Sequence, residues 1–436
     1  MRDDGLTYLL WSDLVGVTRT RGVPSRDLDR RARVGLGWAM AGQALTPFTD
    51  IVANDWGPMD EARQIPDMAT QFIIPGDDAN PSIAGVICNS MTADGEPWEC
   101  CVRQFCARAL ADLRAETGFD LMASFEHEFT LWGNGQDPQT PFSFAAARQR
   151  HRFLEETERL LDGAGLVVET LEPEYGLGQY EVSVAPEPAL RAADHALVLR
   201  ETVRESARRQ GLKASFTPKF APDAVGNGVH LHLSLADPER RNVTADPAGP
   251  AGLSPMAAAF AAGVLAHAGA VVALTAPSPV SYRRLGPHHW SCGFAALGVQ
   301  NREAMLRVIP GAGPDPAARA RGFNIEYRPC DATASPYLAL GAVVRAGLEG
   351  IRRGLEAPVP VGRDPADMSG EERARAGIRP LPATLAEAAD ALEADRVAAG
   401  WMAPRMRATY LALKRWEAER DAAGPEASFA RYAAVY

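Results

Sequence analysis

Four segments that lie far apart in the chain each place acidic or imidazole side chains two residues apart. In an extended strand, residues i and i+2 point to the same side. From residue 229 to 235, valine or leucine at every second position alternates with polar side chains. Each such strand can bury one face and present polar groups on the other. The polar residues of the four segments are Glu126 and Glu128; Glu174, Gln179 and Glu181; His230, His232 and Ser234; and Glu326 and Arg328.

Together these segments predict one shared metal site. Four strands that turn their polar faces toward a common concavity would gather carboxylates, which repel one another unless cations neutralise them. Several carboxylates with one or two imidazoles and no thiolate favour Mg²⁺ or Mn²⁺ over structural zinc. Taken singly, each segment also fits a plainer interpretation: a solvated edge strand, a turn, packed histidines or a same-face salt bridge. Their occurrence together favours the metal site.

A group of arginines between residues 283 and 328 indicates that the site handles phosphate or carboxylate groups. The guanidinium group is permanently charged and can bind either anion in bidentate fashion. The chain contains no GxxxxGK[ST] motif, and no GxGxxG motif follows a predicted strand. Nucleotide phosphates are therefore predicted to be held by metals and arginines and not by a glycine-rich loop.

The chain is acidic, with a formal net charge of -10 at pH 7. Binding to nucleic acid or to an anionic membrane depends on clustered positive charge, so we expect neither partner and predict small-molecule substrates. The first residues, MRDDGLTYLLWSDLVG, do not resemble a secretory signal, and a cytoplasmic location is predicted. The six cysteines lack CxxC spacing, which fits a reduced compartment and argues against zinc at Cys100, Cys101 and Cys106.

The pattern of predicted elements favours an α+β fold. Of the 436 residues, 46% are hydrophobic, so the chain can bury a large core; we expect a small β-rich domain over residues 1–102 and a larger one over 103–436. The apolar run from Ala257 to Ala276 is interpreted as a buried helix and not as a membrane span. Strands are predicted near 7–24, 82–90, 119–132, 166–185, 214–236, 298–309 and 323–329, and helices near 99–117, 143–164, 187–210, 254–275, 334–354, 384–394 and 401–422.

In this order, the segments resemble the glutamine synthetase family over nearly the whole chain. The family's ExEF strand corresponds to FEHEF, its E…GxGQxE segment to EYGLGQYE, and its KP…GxGxHxHxS segment to PKFAPDAVGNGVHLHLS. Its SYxRL, NRxxxxR and ExR…PYL motifs correspond to SYRRL, NREAMLR and EYRPCDATASPYL. The resemblance implies an N-terminal β-grasp domain and a catalytic domain with a curved, barrel-like antiparallel sheet. It also implies active sites shared between subunits of a homo-oligomeric ring, commonly a dodecamer of two hexamers.

The resemblance further implies roles for individual residues. The residues that match ligands of the metal nearer the acid substrate are Glu128, Glu174 and Glu181, and those that match ligands of the metal on the nucleotide phosphates are Glu126, His230 and Glu326. The other implied positions are His232, Ser234 and Arg307 for the nucleotide, Arg302 for the transferred phosphoryl group, Arg284 and Arg328 for the acid and its intermediate, and Gly226 and Trp290 for the substrates. Two or three Mg²⁺ or Mn²⁺ ions per site are expected, with ATP as co-substrate.

One departure from the family pattern concerns the nucleophile. In the ammonia-using members, a flap glutamate that helps take the proton from ammonium lies six residues after the arginine of SYxRL, and Trp290 stands there in this chain. The acidic ammonium pocket of the N-terminal domain has no clear counterpart around residues 46–55. An aromatic side chain would suit an alkyl or aryl amine, whose burial contributes about 25 cal/mol per Å². Packing within the protein is an equally good interpretation of Trp290.

Other departures concern the acid substrate and the nucleotide. Val225 replaces an asparagine that often contacts the α-substituents of glutamate, and Asn227 is a candidate to compensate for it. Asn324 replaces a frequent arginine beside the γ-phosphate, and Ser335 replaces the asparagine of NPYL. The loop from 357 to 383 has no tyrosine, so the adenylylation found in some bacterial members is not expected.

We therefore predict an ATP-dependent ligase that activates the γ-carboxylate of glutamate, or a close analogue, as an acyl phosphate. The ligase would then couple it to an organic amine, releasing ADP and phosphate. The alternatives are a glutamine synthetase that uses ammonia, a catalytically silent ring-forming relative with a regulatory or structural role, and a metal-dependent kinase of the related guanidino-kinase fold. Trp290 argues against the first, and the presence of all six implied metal ligands argues against the second.

Overall fold

The computed structural model describes residues 5–133 and 139–436, so residues 1–4 of the predicted first domain lie outside the described part. Within those ranges the chain forms two large β-sheets with helices around them. The elements of the first sheet are β1 (Leu6–Ser12), β2 (Thr18–Pro24), α1 (Leu28–Val34), β3 (Leu36–Ala39), β4 (Glu61–Pro66), β5 (Phe72–Ile74) and β6 (Ile83–Met91).

The first sheet has the strand order β2-β1-β6-β4-β3, and β5 pairs with β6. β1 and β2 form an antiparallel hairpin, whereas β1 and β6 are parallel. These three strands confirm the predictions near 7–24 and 82–90. The sequence analysis did not predict β3, β4 or β5, two of which are only three or four residues long. Strands that short show little alternation.

The second sheet carries the acidic and imidazole motifs, and its order is β14-β15-β16-β12-β7-β9-β8, with β10 and β11 also paired to β7. Its pairs are antiparallel except for β14 with β15. A separate short ladder joins β13 to β17. The strands are β7 (Asp120–Trp132), β8 (Val168–Pro173), β9 (Gln179–Val184), β10 (Glu187–Pro188), β11 (Lys213–Ser215), β12 (Val229–Ala236), β13 (Phe294–Ala295), β14 (Leu297–Val299), β15 (Leu306–Pro310), β16 (Phe323–Tyr327) and β17 (Arg379–Pro380).

The main core lies between this sheet and the helices. Along β7, Phe125 and Phe129 are buried in that core, while the two intervening glutamates are less buried. The helices are α2 (Val102–Thr117), α3 (Phe144–Gln149), α4 (His151–Gly163), α5 (Ala189–Arg209), α6 (Pro255–Ala266), α7 (Ala268–Thr275), α8 (Ser281–Arg284), α9 (Pro316–Gly322), α10 (Pro336–Arg352), α11 (Gly370–Arg375), α12 (Leu385–Ala394), α13 (Pro404–Ala422) and α14 (Pro425–Val435).

Helices α6 and α10 pack closely because small residues line their contact. A Cβ added at Gly263 would lie 2.2 Å from the carbonyl oxygen of Ala346, so only glycine fits there. All six cysteines are free and buried, an environment in which a thiol packs as a small apolar group. The mixed layout of strands and helices confirms the predicted α+β class.

Two predicted helices are each divided in the structure. The helix predicted near 143–164 becomes α3 and α4, which meet at Arg150 with a φ of -119°. The helix predicted near 254–275 becomes α6 and α7, which meet at an angle of 79° at His267. The Nδ1 atom of His267 lies 2.6 Å from Asp395 Oδ2, so a polar contact holds the bend. Helices α1, α8, α9, α11 and α14 were not predicted.

Among the described residues, no single helix is both long and apolar enough to cross a membrane; only the bent pair α6 and α7 reaches that length and composition together. Most residues of this pair are buried within the protein.

Candidate active site

Strand register brings the polar side chains of the second sheet into rows on one face. The residues that lie opposite one another are Glu126 and His230 across β7 and β12; His232, Glu326 and Arg307 across β12, β16 and β15; and Glu128, Glu181 and Glu172 across β7, β9 and β8. The prediction that all of these polar residues lie in strands is wrong for Glu174. It occupies the turn between β8 and β9, where its backbone N–H donates to the carbonyl of Gln179 at 2.9 Å.

One part of this face consists of Glu326 and its positively charged or imidazole neighbours, and we call Glu326, Arg307, Arg328 and His232 the Glu326 cluster. Glu326 is 1% exposed. Arg307 Nη1 donates to Glu326 Oε2 at 2.9 Å, and Arg328 Nη1 donates to Oε1. Burial raises the pKa of Glu326, but the charges of Arg328, His230 and His232 outweigh that effect and hold its pKa below the ordinary value. This carboxylate is therefore ionised and balanced by the protein itself.

Glu126 connects the two imidazoles at the middle of the site. Its Oε1 lies 2.9 Å from His230 Nδ1, and its Oε2 lies 3.5 Å from His232 Nε2. Despite burial, the hydrogen bonds with His230 and His232 hold the pKa of Glu126 well below its ordinary value. The other ring nitrogen of His232, Nδ1, lies 3.0 Å from Asn324 Oδ1. The pKa of His232 is raised, because contacts with Glu126 and Glu326 outweigh the effect of burial.

A second part of the face holds carboxylates without matching cations, and we call Glu128, Glu172, Glu174 and Glu181 the Glu181 cluster. Burial, followed by the charges of the neighbouring glutamates, raises the pKa of Glu181 to about 11. Burial and the charge of Glu128 raise the pKa of Glu174 to about 7. Among the described residues, the salt bridges of this site all end on Glu126 or Glu326 and none reaches the Glu181 cluster.

Among the described residues, the hydrogen bonds to the Glu128 carboxylate come from neutral groups. Its Oε2 accepts hydrogen bonds from the backbone N–H of Gly228 at 2.6 Å and from Gln179 Nε2 at 3.5 Å. A Cβ added at Gly228 would lie 2.3 Å from Arg284 Nη2 and 2.9 Å from His230 Nε2. Glycine at this position therefore lets the backbone, the arginine and the histidine approach one another.

The donor set fits hard divalent cations. Ligand atoms lie within 4.8 Å of one another in three groups: Glu126, His232 and Glu326; Glu126, Glu181 and His230; and Glu172, Glu174 and Glu181. Carboxylate oxygens with imidazole and no thiolate match Mg²⁺ or Mn²⁺. A buried carboxyl whose pKa is raised to about 11 stays protonated at neutral pH unless a cation offsets its charge, so the Glu181 cluster is suited to receive one.

The remaining predicted arginines occupy different environments. Arg284 is 4% exposed, and its guanidinium donates to the backbone carbonyls of residues 328–330 at 3.2 Å. Arg302 is exposed in the turn between β14 and β15. Arg328 Nη2 donates to the carbonyl of Trp290 at 2.7 Å, which links the Glu326 cluster to the loop that follows α8. The structure thus brings Arg284, Arg307 and Arg328 to the sheet face and leaves Arg302 at its exposed edge.

Two further predicted residues lie on the same strand or just before it. Gly226 precedes β12, and its carbonyl accepts a hydrogen bond from Gln179 Nε2 at 2.8 Å. Ser234 is half-buried on β12, two residues beyond His232 on the same face.

Trp290 is not buried within this chain. Trp290 is 59% exposed, so the interpretation that it packs inside the protein is wrong for the described chain. Its backbone is nevertheless fixed, because its N–H donates to Glu303 Oε1 at 2.8 Å and its carbonyl accepts from Arg328. The loop therefore presents an exposed indole on an anchored backbone.

Asn227 does not compensate for Val225. Its amide is 1% exposed and is used internally: Nδ2 donates to Thr130 Oγ1 at 3.1 Å and to the carbonyl of Thr217 at 2.9 Å, while Oδ1 accepts from Gln179 at 3.0 Å. Val225 is 38% exposed. The position that often contacts the α-substituents of glutamate is thus apolar here.

Sequence reasoning missed two acidic residues near these groups. Glu172 lies in the Glu181 row on β8, and Glu303 holds the backbone of Trp290. Glu172 lies two residues before Glu174, so the same i, i+2 spacing that identified the other motifs could have found it.

Comparison with known families agrees with the residue motifs. A family model described as "Glutamine synthetase, catalytic domain" matches residues 99–432, and one described as "Glutamine synthetase N-terminal domain" matches residues 3–98. The chain belongs to the glutamine synthetase family.

Curated members of the glutamine synthetase family align with most of the chain. The chain is 34% identical to "Gamma-glutamylpolyamine synthetase GlnA3" of Streptomyces coelicolor, with 94% of this chain and 89% of the relative covered. It is also 34% identical to "Glutamine synthetase" of Methanocaldococcus jannaschii, with 86% and 82% covered. Members of this family are ATP-dependent ligases that form C–N bonds and use divalent metals, so the protein is an ATP-dependent C–N ligase.

Solved structures of the glutamine synthetase family show the same fold. One described as "Crystal structure of novel glutamine synthase homolog" has a TM-score of 0.91 and 38% identity, with 100% of this chain and 99% of that chain covered. A second, described as "GmaS/ADP complex-Conformation 1", has a TM-score of 0.83 and 27% identity, with 97% and 94% covered. The comparisons therefore confirm the fold and the ligase class.

Proposed function

We propose that this protein joins the γ-carboxylate of glutamate, or of a close analogue, to an organic amine, with ATP converted to ADP and phosphate. The observation that carries the proposal is Trp290, an exposed indole on an anchored backbone at the position where ammonia-using members have a glutamate. The similarity to a relative named gamma-glutamylpolyamine synthetase supports it. The solved relative described as a GmaS/ADP complex supports the use of a nucleotide.

The first half of the reaction would activate the acid. A carboxylate lacks a good leaving group, and transfer of the γ-phosphoryl group of ATP onto it gives an acyl phosphate. In this proposal Arg302 and Arg307 contact the phosphoryl oxygens, while Arg284 and Arg328 position the acid and its intermediate. Each guanidinium carries a fixed positive charge toward oxygens that gain negative charge in the transition state.

Divalent cations would balance the remaining negative charge of the site. Glu128, Glu174 and Glu181 would hold one Mg²⁺ or Mn²⁺ ion, and Glu126, His230 and Glu326 would hold another. Bound cations of this kind neutralise phosphate oxygens and make phosphoryl transfer easier. His232 and Ser234 would contact the nucleotide. Gly226 lets the Arg284 side chain pack against the backbone, since an added Cβ would lie 2.6 Å from Arg284 Cγ, and would so help to place Arg284 for the acid.

The second half of the reaction would bring in the amine. The Trp290 indole offers apolar surface to a carbon chain or ring, and apolar burial contributes about 25 cal/mol per Å². Ammonia has no carbon to bury and gains nothing from this contact. Val225 offers no polar contact to the α-substituents of glutamate. The proposed acid substrate therefore includes analogues of glutamate as well as glutamate itself.

A second candidate is a glutamine synthetase that uses ammonia. The 34% identity to the Methanocaldococcus jannaschii glutamine synthetase favours it. Trp290 argues against it, because it removes a carboxylate that could accept a proton from ammonium at that position.

The deciding experiment combines phosphate release with identification of the product. Purified protein, ATP, Mg²⁺ and glutamate are incubated with ammonia, alkylamines, ethanolamine, polyamines or aromatic amines, and products are identified by mass spectrometry. We expect phosphate release with organic amines and a matching γ-glutamyl amide. Turnover with ammonia alone would favour the second candidate, a stable phosphorylated product would favour a kinase, and no turnover at all would favour a silent relative. A reaction without ATP provides the inactive control.

Assembly and location are part of the same proposal. Members of the family are typically oligomeric, and we propose a dodecamer of two hexameric rings with active sites between subunits, located in the cytoplasm. Sedimentation velocity tests the assembly: a species of twelve chains supports it, and a monomer at working concentration contradicts it.

A further inference from the structure

The turn between β14 and β15 contains a buried carboxylate that is neither a proposed metal ligand nor a member of a described ion pair. Glu303 is 9% exposed, and its Oε1 accepts a hydrogen bond from the backbone N–H of Trp290 at 2.8 Å. Its Oε2 is buried and has no hydrogen-bond partner among the described residues. Burying an unpartnered carboxylate oxygen costs free energy, so such a group calls for a functional explanation.

Glu303 is connected to the centre of the site through one peptide segment. The carbonyl of Trp290 accepts from Arg328 Nη2 at 2.7 Å, and Arg328 Nη1 also pairs with Glu326. Two consecutive contacts on Trp290 therefore join the Glu326 cluster to the Glu303 carboxylate. The same residue presents its indole to solvent, so an apolar surface and a carboxylate meet at one loop.

The backbone of this loop is held in an uncommon conformation. His288, Trp290 and Cys292 have φ values of 62°, 54° and 70°, which residues other than glycine rarely adopt. Ser291 Oγ donates to the carbonyl of Arg284 at 2.8 Å and fixes the loop against α8. Such strain persists only where surrounding contacts maintain it, so the position of the Trp290 backbone beside Glu303 is well determined.

Amide formation from an amine has a proton requirement. An alkylamine resembles the lysine side chain, whose pKa is about 10.4, so at neutral pH it is an ammonium ion without a free lone pair. A base must take one proton before the nitrogen can attack. The carboxylate of the Glu326 cluster is already neutralised by arginines, and those of the Glu181 cluster are suited to cations. Glu303 has an oxygen that is free for this task.

We propose that Glu303 is the general base for the amine substrate, with Oε2 accepting a proton from the ammonium group while Trp290 contacts the carbon chain. This inference rests on the proposed function. The freed lone pair attacks the acyl carbon, the C–N bond forms, and the C–O bond to phosphate breaks. The departing phosphate takes the second proton lost by nitrogen, and Glu303 Oε2, which is buried in the free chain, passes its proton to water once the products have left.

The surroundings of Glu303 suit a base. Burial raises its pKa above the ordinary value, even though the hydrogen bond from Trp290 acts in the opposite direction. The charged groups that act on it are Asp364, which raises its pKa, and His288 and Arg328, which lower it. His288 Nδ1 lies 3.0 Å from Asp364 Oδ2, so these two neighbours partly offset each other. A carboxylate with a raised pKa accepts a proton more readily.

Two nucleophiles that differ in protonation test the proposal. Glu303→Gln keeps the shape and the acceptor for the Trp290 N–H but cannot take a proton. With an alkylamine at neutral pH we expect kcat to fall about 10²-fold or more. With hydroxylamine, which is largely unprotonated at neutral pH, we expect less than about a threefold change, because no base is required. Glu356→Gln, at an exposed position after α10, is the matched control and should change neither rate.

The pH profile and a conservative variant sharpen the test. Activity of Glu303→Gln with the alkylamine should rise about tenfold per pH unit as the pH approaches the pKa of the amine, because the free amine increases in that proportion. Glu303→Asp, which keeps a carboxylate, should recover part of the lost kcat. Equal losses with alkylamine and hydroxylamine would assign Glu303 a structural role, and full activity with the alkylamine would also overturn the proposal.

Failure of the proposed function gives a different result. In that case the wild-type protein makes no γ-glutamyl amide from any organic amine. If it uses ammonia, which is also protonated at neutral pH, the comparison of ammonia with hydroxylamine still tests Glu303 as a base, with the same expected outcomes. A protein that forms no amide with any nucleophile would overturn both proposals.

Discussion

The Glu326 cluster and the Glu181 cluster lie on the same face of one sheet but solve the problem of buried negative charge in opposite ways. Glu326 is surrounded by two arginines and two imidazoles, and its pKa is held below the ordinary value. Glu181 makes no salt bridge among the described residues, and burial together with the charges of neighbouring glutamates raises its pKa to about 11. In the first cluster the protein itself balances the charge of the Glu326 carboxylate before any cation binds. In the second cluster a cation has to supply the balancing charge.

This difference teaches how one sheet can both fold and bind metal. A folded chain can carry a few unneutralised carboxylates if the rest of the site is internally balanced, since the unneutralised ones stay protonated until a cation arrives. Metal affinity is then concentrated where the protein provides no counter-charge. Substitutions in the two clusters should therefore change stability and metal binding differently.

The largest effect is expected from Glu326→Gln. This change removes the negative charge and leaves the Arg328 guanidinium, which is 5% exposed, without its partner. Breaking a buried ion pair by removing one member costs about 3–5 kcal/mol of the free energy of unfolding. Urea denaturation in the presence of a chelator measures it. A loss below about 1 kcal/mol would mean that the cluster is not internally balanced as described.

Glu181→Gln is expected to behave in the opposite way. Without metal, the variant should be as stable as the wild type within about 1 kcal/mol, because the neutral amide relieves repulsion among the glutamates. Added Mg²⁺ or Mn²⁺ at 100 times its dissociation constant should stabilise the wild type by about 2.7 kcal/mol and the variant much less. Thermal unfolding with and without metal gives both numbers. Equal stabilisation of the two proteins by metal would remove Glu181 from the proposed ligands.

A smaller effect is expected at Trp290, which lies outside both clusters but is joined to the first through Arg328. If Trp290→Ala exposes about 55 Å² of apolar amine surface, the binding free energy of an alkylamine weakens by about 1.4 kcal/mol, which corresponds to a tenfold rise in its KM. KM for ammonia should not change. Trp290→Phe is the matched control and should keep part of the effect. An equal rise in KM for ammonia and for the alkylamine would show that the indole acts on the loop and not on the amine.

Much of the fold could be predicted because long elements carry a strong periodic signal. The alternation along β12 and the motifs of β7, β9 and β16 placed the central strands correctly. The breaks at Arg150 and His267 were missed because a helix interruption of one residue changes neither composition nor periodicity. Apart from α14, which has 11 residues, the strands and helices that were not predicted are only two to seven residues long, and elements this short show little periodicity.

The site was less predictable than the fold. Spacing identified which residues share a face, but only the pairing of distant strands places Glu326 opposite Arg307 and leaves Glu181 without a salt bridge among the described residues. The internal use of Asn227 also depends on Thr130 and Thr217, which are far away in sequence. Likewise, no pattern in the sequence relates Glu303 to Trp290, because their contact is a hydrogen bond that the backbone N–H of Trp290 donates to the Glu303 carboxylate.

Glu172 offers the finest test of the comparison. It belongs to the Glu181 row by register and can offer a ligand atom together with Glu174 and Glu181, but it is exposed to solvent. Solvent screens an exposed charge, so Glu172→Gln should weaken Mg²⁺ or Mn²⁺ binding only about two- to fivefold. The free energy of unfolding without metal, and its loss in Glu326→Gln, should be the same with and without this change. Calorimetric titration of the metal measures the change, with Glu356→Gln as the exposed control. A loss as large as that of Glu181→Gln would mean that Glu172 is a full ligand, and the acidic cluster would then extend to the edge of the sheet.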